Sequence, residues 1–273
     1  MIREHLGPAL LPPRPERDGA FRWRGDGVSR IEGLSDAVFG FAVTLLVASL
    51  NAPRSFDDLL ATVLGFPAFA AAFTVLILIW VAQYRFFRRY GLEDGRTVVL
   101  NVVLLFLVVF FVYPLRFLFT TFVGLWLGVL GRALGSPVLV AQGRAAVSGL
   151  RQGDWPAVMA VYGLGYAGVF LVFVLLHRHA LARADALGLD ATERLVTRYA
   201  VLEHLGHLAV GLGSVAVTFG LADGLGWPPG LAGASGGMVY MLEWPLQTAL
   251  GRTLRRRRRR LREAAPSLTP AIP

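Results

Sequence analysis

Long apolar runs alternate with short polar segments along this chain of 273 residues. A helix of about 20 apolar residues is long enough to cross a hydrocarbon core of about 30 Å. The pattern therefore predicts an all-α integral membrane protein with six transmembrane helices. We expect the spans at Ile31–Leu50, Leu59–Ala82, Val98 to Val123 or beyond, Trp155–Leu176, Tyr199–Leu221 and Leu231–Leu250. The last of these is interrupted by the Gly-Gly pair at 236–237, by Glu243 and by Pro245.

The polar segments divide the chain into three parts. Residues 1–30 are predicted to be a polar N-terminal segment with a short helix near Phe21–Arg30, and residues 31–250 the six-helix membrane domain. Residues 131–154 are rich in glycine and are expected to form the longest connection between spans. Residues 251–273 are expected to be a polybasic, disordered tail.

The distribution of arginine predicts the orientation. Residues 1–30, 84–96, 177–198 and 251–273 carry six, four, four and eight arginines, whereas residues 51–58, 131–154 and 223–230 carry one, three and none. Loops rich in basic residues stay on the cytoplasmic side of a membrane. An even number of spans then places both termini in the cytoplasm.

The composition argues against several classes of protein. Only 16% of the residues are charged, whereas soluble domains average about 25%. The chain has no cysteine, which excludes disulfides and zinc–thiolate sites. A net charge of +9 could indicate nucleic-acid binding, but in a membrane protein it is better explained by topology and by anionic lipid headgroups near Arg252–Arg262. We therefore expect lipid and no nucleic acid as a partner.

Motifs for enzymatic chemistry are absent from the sequence. It contains no Walker loop, dinucleotide fingerprint, nucleophile elbow or His-Glu-x-x-His motif, so no enzyme is predicted. Glu203, His204 and His207 lie within two turns of the fifth span. Glu203 and His207 could pair, and two histidines could share a metal, but without a fourth ligand a polar cluster at the interface is favoured.

The polar residues at the start of the first span carry the most information. Arg30, Ser35 and Asp36 precede the apolar stretch that begins at Ala37. A charged residue inside a spanning helix is costly and usually functional. Ser35 and Asp36 could equally cap the helix N-terminus, so from these residues alone the two interpretations stay open.

This stretch resembles the transmembrane protein 175 family of potassium channels. Arg30, Ser35 and Asp36 match the family's Arg-x-x-x-Phe-Ser-Asp signature, with Leu34 in place of the phenylalanine. Trp80 in the second span, and Asn101 and Pro114 in the third, also match, whereas Gln83 and Tyr84 stand where family members often have histidines. The resemblance covers about residues 30–116.

The resemblance implies a homotetramer around a central pore lined by the first helix, in the cell membrane of a prokaryote. It implies no cofactor, with K⁺ as the permeant ion. The constriction falls on Phe41, and further pore-lining positions are Ala37, Thr44, Leu45 and Ala48. The residues expected to hold this helix in register are Arg30, Ser35, Asp36, Trp80 and Asn101.

Three functions remain to be separated. The first is a potassium-selective leak channel with a hydrophobic constriction. The second is a secondary transporter that uses Asp36, Glu203 and the histidines as a relay, although no internal repeat supports it. The third is a non-conducting membrane scaffold whose pore is closed by the bulky Phe41.

Overall fold

The computed structural model describes residues 21–25, 27–50 and 52–264, with side chains as far as Leu261. This part of the chain is helical and contains no β-strand. The helices are α1 (Arg30–Ala48), α2 (Phe56–Tyr90), α3 (Gly95–Leu134), α4 (Pro137–Val147), α5 (Trp155–Ala182), α6 (Ala191–Phe219), α7 (Pro229–Met238) and α8 (Glu243–Ala264). A π-helical turn, Gly220–Gly224, follows α6, and a 3₁₀ turn, Val239–Leu242, joins α7 to α8.

Five helices in the described part are long and apolar enough to cross a membrane, namely α1, α2, α3, α5 and α6. All five predicted spans at these places are confirmed as helices. Helices α2, α5 and α6 are longer than predicted, and α3 continues beyond Val123 to Leu134. Their central apolar side chains pack together. The core lies where α1, α2, α3 and α5 meet, and its largest members include Phe39, Leu46, Leu76, Phe86, Leu104 and Phe173.

Capping residues define the ends of these helices. Ser29 and Glu32 form a capping box in which each side chain accepts a hydrogen bond from the other residue's backbone N–H, and this starts α1. Gly91 ends α2 with φ +58°, a left-handed conformation that glycine adopts without strain. We call the end of the bundle where α1 begins and α2 ends the basal end.

The sixth predicted span, Leu231–Leu250, is not one continuous helix. The segment is divided into α7, the 3₁₀ turn and α8. Gly236 packs so closely on Thr218 that an added Cβ would lie 1.9 Å from its hydroxyl oxygen. Pro245 has no N–H to donate and lies in the first turn of α8, where a helix needs no such donor.

The connection at residues 131–154 contains a helix, and the prediction of disorder for residues 251–273 needs correction as far as Ala264. Residues 131–154 hold the end of α3 and the whole of α4, because the glycines there serve close helix packing. Helix α8 continues through the arginines to Ala264, since arginine is a good helix former. Residues 265–273 lie outside the described residues.

The N-terminal segment differs from its prediction as well. Residues 21–25 and 27–29 contain no helix and run along the basal end to Ser29. Residues 1–20 lie outside the described part of the chain.

Candidate functional site

Helix α1 has one packed face and one open face. Ser35, Phe39, Ala42 and Leu46 are buried against the other helices. The predicted pore-lining residues Ala37, Phe41, Thr44 and Ala48 are all exposed, and Phe41 is 55% exposed. They lie on the opposite side of the helix, because residues four and seven apart share a face.

Leu45 differs from the other predicted pore residues. It is half-buried and packs at the edge of the core. Thr44 is exposed, and its hydroxyl donates a hydrogen bond to the Gly40 carbonyl at 2.9 Å. Since its proton is used, the hydroxyl oxygen faces the open side as an acceptor only, which suits contact with a cation.

A buried chain of polar side chains joins α1, α2 and α3. The amide of Asn101 donates to the Ser35 hydroxyl oxygen at 2.9 Å, and Gln83 donates to the Asn101 side-chain oxygen at 2.6 Å. Ser35 in turn donates to the Ile31 carbonyl at 2.7 Å. The structure therefore brings two of the predicted register residues, Ser35 and Asn101, into direct contact.

Asp36 and Trp80 form a second link between α1 and α2. The Trp80 indole N–H donates to an Asp36 carboxylate oxygen at 2.7 Å, and the ring stacks on Tyr84 at 5.8 Å between centroids. The carboxylate thus has a partner on a neighbouring helix. Arg30 is exposed, and no hydrogen bond or ion pair connects it to another described residue.

Gln83 belongs to this network, although sequence reasoning did not select it. It is 2% exposed and lies within an apolar helix. An uncharged polar side chain in such a place needs a partner, and Asn101 is the polar residue of α3 at the matching depth. Because Gln83 directly follows the second predicted span and precedes Tyr84 and Arg85, nothing in the sequence indicates that it is buried.

A separate polar cluster lies where α5, α6 and α8 meet. His207 Nδ1 lies 2.8 Å from Glu243, and Tyr166 donates to the same carboxylate. Gln247 Nε2 lies 3.0 Å from His207 Nε2. His207 therefore pairs with Glu243 at the helix break and not with Glu203. In the described part of the chain, no three His, Cys, Asp or Glu side chains are grouped as metal ligands.

Asp94 organises the start of α3 at the basal end. Its carboxylate accepts hydrogen bonds from the Arg96 and Thr97 N–H groups at 3.0 and 3.2 Å, and lies 2.8 Å from His179 Nε2 on α5. Burial alone raises the pKa of Asp94, but the hydrogen bonds from His179 and Thr97 outweigh it and hold this pKa below its ordinary value. Asp94 therefore stays ionised and ties α3 to α5.

Comparison with known proteins identifies the family. The model of a family described as endosomal/lysosomal potassium channel TMEM175 matches residues 30–111. A protein of Marivirga tractuosa named as a potassium channel is 33% identical over 241 residues, which cover 88% of this chain and 93% of that relative. The chain belongs to the TMEM175 family.

Two further comparisons agree with membership of TMEM175. A potassium channel of Chamaesiphon minutus is 32% identical over 93 residues, 31% of this chain and 46% of that relative. A crystal structure of a variant of the potassium channel MtTMEM175, bound to a nanobody–MBP fusion protein, matches the fold with a TM-score of 0.72. That match has 31% identity and covers 90% of this chain and 99% of the other.

The part of the chain that matches the TMEM175 model contains α1, α2 and the first half of α3. These are the helices that carry the open face of α1 and the Gln83–Asn101–Ser35 chain. Family membership assigns the protein to channels and not to enzymes.

Proposed function

We propose that the protein is a potassium-selective channel of the leak type, a homotetramer in which α1 of each subunit lines a central pore. The observation that carries this proposal is the open face of α1, where Ala37, Phe41, Thr44 and Ala48 are exposed in the subunit. Four copies around an axis would turn these faces toward one another. Two related proteins are named potassium channels, which supports K⁺ as the permeant ion.

Phe41 is the proposed constriction. Its ring is the largest side chain at the centre of the open face. A narrow apolar ring blocks ions by excluding water, and small changes in its radius switch conduction. Below it, Thr44 would offer hydroxyl oxygens to a partly dehydrated cation, and Ala48 would widen the pore.

The topology proposed with this function has both termini in the cytoplasm of a prokaryotic cell, with α7 and α8 together serving as the sixth crossing. The arginine-rich segments at the basal end support this orientation. The arginines of α8 from Arg252 to Arg260 would then face the anionic headgroups of the cytoplasmic leaflet.

The experiment is K⁺ flux into proteoliposomes that contain the purified protein, with Phe41→Ile and Phe41→Ala beside it. We expect wild type to pass K⁺ in preference to Na⁺ without a second coupled solute, and the smaller side chains to increase the flux because they widen the constriction. Val47→Ala, which lies off the proposed pore face, is the control and should change the flux little.

Other outcomes separate the alternatives. Flux that depends on a second solute would favour the transporter. A silent wild type with a conducting Phe41→Ala would mean that phenylalanine closes the pore. If all variants are silent while folded and tetrameric, the scaffold becomes the better proposal.

A further inference from the structure

An extended segment lies across the basal end and leads directly into α1. We call residues 21–25 and 27–29 the strap. Its first residue, Phe21, is 2% exposed and packs edge-on against the ring of Tyr90 at 5.4 Å between centroids. Its last residue, Ser29, is the N-cap of α1, so the position of the strap determines where the proposed pore helix begins.

Arg24 fastens the strap to the α5–α6 loop and to α6. Its guanidinium donates to both carboxylate oxygens of Glu193, at 2.6 and 3.1 Å. It also donates to the carbonyls of Leu187 at 2.7 Å and of Gly188 at 3.1 Å. The side chains of Arg24 and Glu193 are 11% and 3% exposed, so this forked pair is largely shielded from water.

Glu193 is itself held in place by several groups. It accepts a hydrogen bond from the Arg22 backbone N–H at 2.7 Å. It also closes the capping box of α6, where the Asp190 N–H donates to it at 3.1 Å. A carboxylate fixed in this way is a rigid anchor for the strap.

Arg88 attaches the strap to the end of α2. The N–H groups of Arg24 and Gly25 donate to the Arg88 carbonyl at 3.0 and 3.2 Å. The Arg88 side chain donates back to the carbonyls of Gly25 and Gly27, both at 3.0 Å. Its Nε lies 3.7 Å from Glu32, the residue that completes the capping box of α1.

We infer that Arg24 and Glu193 are positioning residues for conduction, because the pair anchors the strap and so holds the basal end of α1 against its own bundle. Inside the subunit α1 buries only Ser35, Phe39, Ala42 and Leu46. The strap adds the capping box at Ser29 and, through Arg88, the ion pair with Glu32 to the contacts that hold the basal end of this helix. Without it, α1 can move toward the pore axis and bring the Phe41 rings together, which reduces conduction. This inference rests on the proposed function, in which α1 lines the pore.

The test is single-channel recording of the full-length protein in planar bilayers, with Arg24→Gln and Glu193→Gln. We expect the open probability to fall by about tenfold, which corresponds to about 1.4 kcal/mol. Unitary conductance should stay unchanged, because the pore-lining residues are intact. A role in folding alone would lower the number of active channels and leave the open probability of each one as it is in wild type.

Two variants make the comparison sharper. Arg22→Gln is the matched control, since the Arg22 side chain is exposed and only its backbone N–H contacts Glu193. The double variant Arg24→Gln/Glu193→Gln should be no worse than either single one, because both remove the same contact. If Arg24→Gln does not assemble, Arg24→Lys keeps the charge without the forked geometry and should give a smaller fall.

An unchanged or increased open probability in assembled channels would overturn the inference. Phe41→Ala, recorded in parallel, separates this failure from that of the proposed function. If Phe41→Ala alters unitary conductance while the Arg24 and Glu193 variants behave as wild type, only the positioning role fails. If Phe41→Ala also leaves unitary conductance unchanged, the assignment of α1 to the pore fails.

Discussion

The hydrogen bonds of Asn101 with Ser35 and Gln83 explain why this position is an asparagine. Its amide nitrogen donates to Ser35 and its oxygen accepts from Gln83, so one side chain serves both a donor and an acceptor at the centre of three helices. Leucine has a similar size, but its side chain can neither donate nor accept a hydrogen bond. In an apolar membrane interior, each group left unpaired is unfavourable because no water replaces the lost partner.

We expect Asn101→Leu to destabilise the subunit by about 1–3 kcal/mol, since it leaves the Gln83 amide buried without a partner. Thermal unfolding of the purified protein in detergent measures the change. The double variant Asn101→Leu/Gln83→Leu should recover part of the loss, because replacing both partners with apolar groups is nearly neutral. A double variant that is less stable than the single one would contradict this account.

At the residue scale, the sequence located the network only partly. Ser35, Asp36, Trp80 and Asn101 stand out as polar or amphipathic groups in apolar spans, and all four make contacts between helices. The pairing itself could not be predicted, because helical periodicity gives the face of a residue but not the neighbour that it meets. For the same reason the sequence did not reveal Gln83, or that Arg30 lies outside these contacts.

At the element scale, the hairpin of α3 and α4 is built on glycine. A Cβ added at Gly143 would lie 2.5 Å from the Gly128 Cα, and one at Gly124 would lie 2.0 Å from the Ala146 Cβ. The two helices therefore touch along their backbones. The α5–α6 pair uses the same device, since a Cβ at Gly163 would lie 2.8 Å from the Gly211 carbonyl oxygen.

Gly143→Ala should separate α3 from α4 and lower the thermal stability of the purified protein by about 1–3 kcal/mol, because backbone atoms cannot move aside as a side chain can. Gly65→Ala in α2 is the control, as its added Cβ meets nothing within 4 Å. That control should be neutral or stabilising by up to about 1 kcal/mol, the difference in helix propensity. Equal effects of the two substitutions would mean that the hairpin tolerates separation.

At the element scale, the sequence located the helices that are uniformly apolar. It did not predict the glycine-containing helix α4 or the helical arginine run of α8. The sequence predicts residues 131–154 as the longest connection between spans, but it does not show that their glycines provide a packing surface for α3 and α4. The break at Val239–Leu242 and the contact of Glu243 with His207 depend on α5 and α6, which are distant in sequence. The sequence indicates an interruption here through its glycine pair and Pro245, but the partner of Glu243 has no local signature.

At the scale of the whole molecule, charge is concentrated at one end. Helix α8 extends the bundle with consecutive arginines, which surround the helix on all sides because six residues span more than one turn. Like charges this close repel one another and destabilise a helix. Anionic headgroups would remove this repulsion.

We expect phosphatidylglycerol added to phosphatidylcholine vesicles to raise the thermal stability of the reconstituted protein. In Arg255→Gln/Arg256→Gln/Arg257→Gln this gain should shrink by about 1 kcal/mol for each arginine removed. Salt should weaken the effect in wild type through screening. Arg132→Gln/Arg144→Gln, at the other end of the bundle, should keep the full gain, and a loss of equal size there would exclude a lipid site on α8.

The α3–α4 hairpin has a practical consequence for imaging. Helix α4 packs on α3 and has no comparably extensive contact with another described helix. The turn at Gly135 is exposed and joins two helices held rigidly by their backbones. A folded domain inserted between Gly135 and Ser136 would therefore project away from the bundle at a fixed angle. It would serve as a fiducial mass for aligning particles of this small protein in electron microscopy.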